Sequence, residues 1–333
     1  SSKYGLNDKG TDVGYIDFAA TLSTSSDQIA IAPGKLVQQW HDKGRRYFEY
    51  RSEAKMENFL AFMSGRYQVQ TSNYKGVAIE IYYHPEHGNN LDRTRMAIED
   101  ALDYFSASFG PYPHKQVRII EFPGYRNYAQ SFPNTIAYSE RIGFIMDLRE
   151  QDAIDQAYYV TAHEMAHQWW GNQIDGAAVQ GSTLISESLA QYSALMLYKR
   201  RYGENKLRQV LKLELDRYLM GRTNELVEEL PLTHVENQPY IHYNKGSVAM
   251  MALVDRLGEA RVNKALSAFL AKYRFVENDF PTSYDLLSFL KASASESEMA
   301  FIDNLFTDIQ LYDLKAKAFN VAPTSDGQYE VQL

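Results

Sequence analysis

The chain has 333 residues, 45% of them hydrophobic, and a formal net charge of −8. That length is ample for a large core and leans towards more than one domain, while the acidic balance offers no basic face for a nucleic-acid partner. There is no cysteine, so disulfides and thiolate metal sites are excluded and any metal must sit on His, Asp and Glu.

The opening stretch SSKYGLNDKGTDVG is polar and glycine-rich, unlike a signal peptide. No apolar run approaches the roughly 18 residues that a membrane span needs. The compartment stays open on these grounds. Residues 11–72 read as β-rich, with short β-prone runs such as GYIDFAATLST and QIAIAP between turn signals. RRYFEYRSE and GRYQVQTSNY alternate apolar and polar residues, and ENFLAFMSG between them reads as a short helix or irregular. VAIEIYY is a further strand. NNLDRTRMAIEDALDYFSASFG has helical spacing at Met96, Ala97, Ala101, Leu102, Phe105 and Phe109, with an Asn cap before it and Gly110 and Pro111 after it. QVRIIEFP predicts a strand, and TIAYSERIGFIM a strand pair or a strand and turn.

From Asp152 onward the pattern turns helical, with helices expected over 153–170, 183–202, 204–219, 244–257, 260–273 and 283–292 and near 297–308. The breaks fall at Gly171, Gly203, Pro231, Gly258 and Pro281. DGQYEVQL ends the chain as a turn and one strand without an evident partner. Together with the β pattern at the start, this suggests a piece cut from a longer protein at both ends.

The stretch TAHEMAHQWWG, residues 161–171, carries the chemistry. Positions i and i+4 of a helix share a face, so His163 and His167 can aim imidazole nitrogens at one ion. Glu164 flanks the pair, in a position suited to a base acting on metal-bound water. A third ligand is expected from the next helix, GSTLISESLAQYSALMLYKRRYG. There Leu184, Glu187, Gln191, Ala194 and Tyr198 form one stripe, Ser182 or Thr183 can cap the start, and KRR complements the dipole at the end. A carboxylate at Glu187 on a largely apolar stripe calls for a cation. Three protein ligands leave a fourth position for water, the pattern of a catalytic zinc.

HEMAHQWWGNQ followed by SESLAQY resembles peptidase family M1, the aminopeptidase N-like zinc metallopeptidases known as gluzincins. The family spaces its second histidine and its glutamate by eighteen residues. Here nineteen separate His167 from Glu187, which one extra residue in the connecting loop would explain. IHYNKGSVAMMALVDRLG resembles the family's Y-x-K-G segment, which makes Tyr243 the donor to the oxyanion. The family's G-x-M-E-N segment, whose glutamate binds the substrate's free amino terminus, matches YAQSFPNTIAYSE, where Ser131 takes the glutamate's place. Ser131 or Gln130 can line the substrate groove, but neither pairs with an ammonium group as a carboxylate does. AQSFPNT, HEMAHQWWG and SESLAQYSAL look closest to a bacterial subgroup in which the peptidase unit follows an ABC-2-type permease.

The resemblance implies an α+β fold, a thermolysin-like catalytic domain of mixed sheet and helical lobe over 73–315. The end of a saddle-like β domain would precede it at 1–72, and the start of a C-terminal β segment would follow at 316–333. It implies one zinc ion on His163, His167 and Glu187, with Glu164 as general base, Tyr243 on the oxyanion and a peptide as substrate. An endopeptidase or oligopeptidase, or a weakly catalytic peptide-binding module of a membrane transporter, are the alternatives. Gln191, one turn beyond Glu187, is a candidate to orient a ligand. Trp169 and Trp170 read as core, and His234 and His242 as structural histidines near the cleft. His84, His87 and His114 fall in turn-like stretches that suggest no role.

Overall fold

A computed structural model describes residues 14–150, 153–310 and 319–332. The expectation for the opening residues and the expected boundary at 315/316 lie outside this set. Alternating short runs at the start become β1 (Tyr15–Ile16), β2 (Ala19–Ser25), β3 (Ile29–Ile31), β4 (Lys35–Asp42), β5 (Arg45–Arg51), β6 (Met56–Glu57) and β7 (Met63–Gly65). All pair antiparallel, as β1–β6, β3–β7 and a three-stranded sheet β2–β5–β4. ENFLAFMSG therefore forms no helix; its ends belong to β6 and β7. Phe18, Ala30, Ala32, Phe48, Tyr50 and Met56 make a separate apolar cluster in this region.

The next part is a five-stranded sheet built from β8 (Gln68–Tyr74), β9 (Val77–Tyr83), β10 (Gln116–Phe122), β11 (Ala129–Phe132) and β12 (Thr135–Ser139), in the order β11–β12–β10–β9–β8. The central strands β9, β10 and β12 run parallel, and the two edge strands run antiparallel to their neighbours. Every residue of β10 is buried, as expected for a strand with neighbours on both sides and cover on both faces. Between β9 and β10 runs α1 (Leu91–Ser108), whose Leu91, Thr94, Ala97, Ile98, Ala101, Leu102 and Phe105 are buried at helical spacing. Its Asn90 does not cap through its side chain; the amide donates to the carbonyls of Phe144 and Met146 instead. TIAYSERIGFIM is β12 running straight into α2 (Glu140–Gly143), with Ser139 as its cap.

Arg118 on β10 joins the sheet to the N-terminal strands. Its side chain is only 1% exposed; it pairs with Glu80 at 2.5 Å and donates to the carbonyls of Ala32 and Gly34. Gly34 is needed there: its φ is +89°, and a Cβ would sit 2.7 Å from the Arg51 carbonyl carbon. Removing Glu80 would leave a buried guanidinium uncompensated, a loss of about 3–5 kcal/mol.

The helical lobe comprises α3 (Gln156–Ala166), α4 (Leu189–Tyr202), α5 (Glu204–Asn224), α6 (Gly246–Leu257), α7 (Glu259–Tyr273), α8 (Ser283–Lys291) and α9 (Glu296–Phe306). Capping boxes at Thr282/Asp285 and Ser295/Glu298 fix the starts of α8 and α9. Short π-helical segments, Leu184–Ser188 and Tyr240–Lys245, lead into α4 and α6. One apolar core spans α1, the inner sheet and these helices. The fold is thus α+β. The terminal strand β14 (Tyr329–Gln332) is not alone: it forms a hairpin with β13 (Asn320–Pro323). No helix among the described residues is long and apolar enough to cross a membrane.

Candidate active site

Asp155 starts α3, its carboxylate accepting the Tyr158 N–H at 3.0 Å. Arg93 and the Tyr202 hydroxyl hold the same side chain from α1 and α4. The α-helix stops at Ala166 rather than running on to Trp170. Trp169 and Trp170 both return their N–H groups to the Ala166 carbonyl, at 2.9 and 3.0 Å. That tight turn sets the Trp170 carbonyl 2.9 Å from His167 Nδ1. The Nδ1–H donates to it, which fixes the ring with Nε2 facing the site. The two indoles are fully buried, donating to the Gly110 carbonyl and to Ser193 Oγ.

One turn apart, in the last turn of α3 and at its C-cap, His163 and His167 bring their Nε2 atoms to 3.0 Å. Glu187, on the π-helical segment before α4, places Oε2 3.3 Å from each. Oε2 is buried and accepts no regular hydrogen bond. Burial opposes a charge on Glu187, yet His167 and His163 together hold its carboxyl well below the usual range. A tetrahedron with zinc–ligand bonds of roughly 2.0–2.1 Å has edges of about 3.3–3.4 Å. The three donor atoms lie close to that spacing, and their types, two imidazole nitrogens and a carboxylate oxygen, suit zinc. Thr183, at the start of the π segment, makes no side-chain cap. A π turn takes up one residue more than an α turn, so the nineteenth residue between His167 and Glu187 is accommodated here as readily as in the loop.

The second π-helical segment carries Tyr243. Its ring lies 5.9 Å from that of His163, and its phenol is close enough to feel the charges of Glu187 and Glu164. Burial pushes the phenol's pKa up, which keeps it a hydrogen-bond donor. The two π segments lock together: Ser188, the residue after Glu187, donates from Oγ to the His242 carbonyl at 2.6 Å. Gly246 permits this approach, because a Cβ there would lie 2.3 Å from Ser188 Oγ. From behind, the buried Glu214 of α5 accepts from Asn244 Nδ2 at 2.5 Å and from the Tyr159 hydroxyl at 3.5 Å. His242 is buried beside Tyr243, and burial lowers its pKa to about 4.

Glu164 is buried next to the ligand pair. Burial drives its carboxyl pKa up, against the pull of His163, His167 and the Ser131 N–H. Ser131 on the edge strand β11 holds the same residue through its Oγ, which donates to the Glu164 carbonyl at 3.0 Å. That hydroxyl accepts in turn from Gln168 Nε2 at 2.7 Å, so the side chain faces α3 and is buried. Gln130 precedes it on β11, half-buried and, by strand alternation, on the other face. Gln191 is buried on α4 near the Tyr159 hydroxyl.

Gln168, Ser188, Glu214 and Asn244 escape a reading of the sequence. Gln168, in the HEMAHQWWG run, ties α3 to the β11–β12 turn through Ser131, the Phe132 carbonyl and the Asn134 N–H. Only its place directly after His167 singles it out. Glu214 on α5 has no pattern around it that marks it.

Residues 90–306 match the peptidase family M1 domain. Human endoplasmic reticulum aminopeptidase 2 is 28% identical over 242 residues, which is 67% of this chain and 24% of that protein. The alanine/arginine aminopeptidase of Saccharomyces cerevisiae is 23% identical over 306 residues, 87% of this chain and 34% of its own. This chain thus spans between a quarter and a third of the length of these relatives. An M1 zinc metallopeptidase from Deinococcus radiodurans shares the fold, with a TM-score of 0.68 at 18% identity, over 88% of this chain and 64% of that one. The match to the family's domain takes in more than half of the residues, and the chain belongs to peptidase family M1.

Proposed function

We propose that this chain is the catalytic unit of a zinc-dependent metallopeptidase that hydrolyses peptide bonds in the aminopeptidase manner. The observation that carries this reading is the convergence of His163, His167 and Glu187 with Glu164 on one side and Tyr243 on the other. A zinc ion on those three residues would polarise the scissile carbonyl and bring the pKa of bound water to roughly 7. Glu164 takes the water's proton and delivers it to the leaving amine. Its burial suits the first of these tasks, because a carboxylate whose pKa is raised is a stronger base for the water's proton. Tyr243 donates to the oxyanion of the tetrahedral intermediate. Relatives lend support: a variant of the Deinococcus enzyme binds a Tyr-Ser-Ala substrate.

Ser131 favours a second reading, an endopeptidase or oligopeptidase. A hydroxyl already committed to Glu164 and Gln168 offers no charge to an amino terminus. A weakly catalytic binding module has less behind it, since base, ligands and tyrosine are all kept. The division into 1–72, 73–315 and 316–333 belongs to this proposal, with the five-stranded sheet taking its first strand from Gln68. So does the place of the chain behind an ABC-2-type permease, which rests on the AQSFPNT, HEMAHQWWG and SESLAQYSAL stretches.

The test is turnover of one fluorogenic peptide, free and N-acetylated, by the unaltered chain and by Glu164→Gln. Peptide hydrolysis is expected from the unaltered chain, with loss of about 10²–10⁴-fold in the variant and zinc content unchanged. Full activity in the variant would overturn the mechanism. Preference for the free peptide identifies an aminopeptidase, and equal turnover of both identifies the endopeptidase reading.

A further inference from the structure

A second cluster of histidine and carboxylate ligand atoms lies at the carboxyl ends of the parallel strands. His84 and His87 follow β9, Glu121 is near the end of β10, and Glu140 directly follows β12. Because β9, β10 and β12 run parallel, these segments leave the sheet at the same edge, where open sheets of this kind hold ligands. His87 Nδ1 touches Glu121 Oε1, and Glu140 Oε2 lies 3.9 Å from the same nitrogen. The remaining carboxylate oxygens are fixed by the backbone. Glu121 Oε2 accepts the His84 N–H at 2.5 Å, and Glu140 Oε1 accepts the Gly124 N–H at 2.8 Å. Each carboxylate thus has one oxygen anchored and the other turned towards His87, as outer hydrogen bonds do for metal ligands.

Three features favour a cation over a plain ion pair. One ligand atom from each of His87, Glu121 and Glu140 lies within 4.8 Å of the others. The group opens into a cavity of about 430 Å³, bordered by Tyr67, Arg66 and Phe122, so an ion has a way in. Arg66 is engaged by Asp27 at 2.5 Å, and both side chains are exposed. The Glu121 side chain is 4% exposed, and a carboxylate at that depth calls for a counter-charge. A protonated His87 balances one of the two carboxylates, whereas a divalent ion beside a neutral imidazole balances both.

We propose that His87, Glu121 and Glu140 bind a second divalent transition-metal ion, separate from the site on α3. One imidazole and two carboxylates suit zinc or manganese. The proposal does not rest on the peptidase reading.

Zinc is the probe, titrated into the full chain, stripped of metal beforehand, in competition with a chromophoric chelator. Two equivalents are expected. His87→Ala should retain one and leave peptide turnover unchanged; His167→Ala should retain the other and lose turnover. Glu140→Gln, at a partly exposed position, should weaken the same equivalent as His87→Ala with circular dichroism unaltered, and it decides the matter should His87→Ala not fold. A single equivalent that disappears in His167→Ala and is untouched by Glu140→Gln overturns the proposal, as does a second equivalent indifferent to both His87→Ala and Glu140→Gln. Loss of turnover with two equivalents bound would count against the peptidase reading alone.

Discussion

Among the described residues, two histidine–carboxylate clusters differ in what surrounds the donor atoms. At the end of α3 and the π turn of Glu187, two imidazole nitrogens 3.0 Å apart each face one carboxylate oxygen at 3.3 Å, and that oxygen accepts no regular hydrogen bond. At the strand ends, one imidazole faces two carboxylates whose other oxygens are tied to backbone N–H groups. The first cluster has a buried carboxyl with a raised pKa beside it and a tyrosine hydroxyl opposite. Neither kind of group flanks the second closely: the hydroxyl of Tyr67, which borders its cavity, is spent on the Glu121 carbonyl at 3.1 Å. Ligand geometry alone therefore does not make a hydrolytic site. A base and an oxyanion donor aimed at the same point do.

The comparison is broken most severely by removing a ligand from the first cluster. His167→Ala should abolish turnover and cost one equivalent of zinc, because two remaining donors hold the ion poorly. Equal loss of turnover from His87→Ala would show that the clusters are not independent. The next largest effect separates ligands from chemistry. Tyr243→Phe keeps the ring against His163 and removes only the hydroxyl, so zinc content should hold while kcat falls about 10²–10³-fold. A rise in KM with kcat unchanged would instead assign Tyr243 to ground-state binding.

Which parts of this were legible in the sequence follows from how local they are. His163, Glu164 and His167 sit within one helical turn, so their spacing states their geometry. Glu187 is legible because a carboxylate on an apolar stripe is out of place. The π-helical segments are not legible, since a shift in backbone hydrogen-bond register leaves side-chain periodicity over five or six residues almost unchanged. For the same reason the early end of α3 at Ala166 was hidden: the residues after it, His167 to Trp170, are as buried as a helix would make them. The β14 partner was missed because β13 is a short exposed hairpin strand without alternation. His87, Glu121 and Glu140 come from three strand ends, and their meeting depends on strand order, which no spacing in the sequence encodes.

The smallest expected effect tests how β11 serves the first cluster. In the proposed match Ser131 takes the place of the family's amino-terminus-binding glutamate, yet its Oγ is spent on the Glu164 carbonyl and also receives Gln168. If it acts only as a clamp, Ser131→Ala deprives the buried Glu164 carbonyl and Gln168 amide of a partner. Stability should drop by about 1–2 kcal/mol, read from urea unfolding. Turnover should then fall modestly, and equally for free and N-acetylated peptide, because the β11–β12 pairing that sets the backbone at residue 131 remains. A change in the ratio between those two substrates would place the hydroxyl against the substrate's amino end. An unchanged ratio leaves the choice of peptide terminus to other groups along the β11 edge, with Gln130 on the opposite face as the next residue to replace.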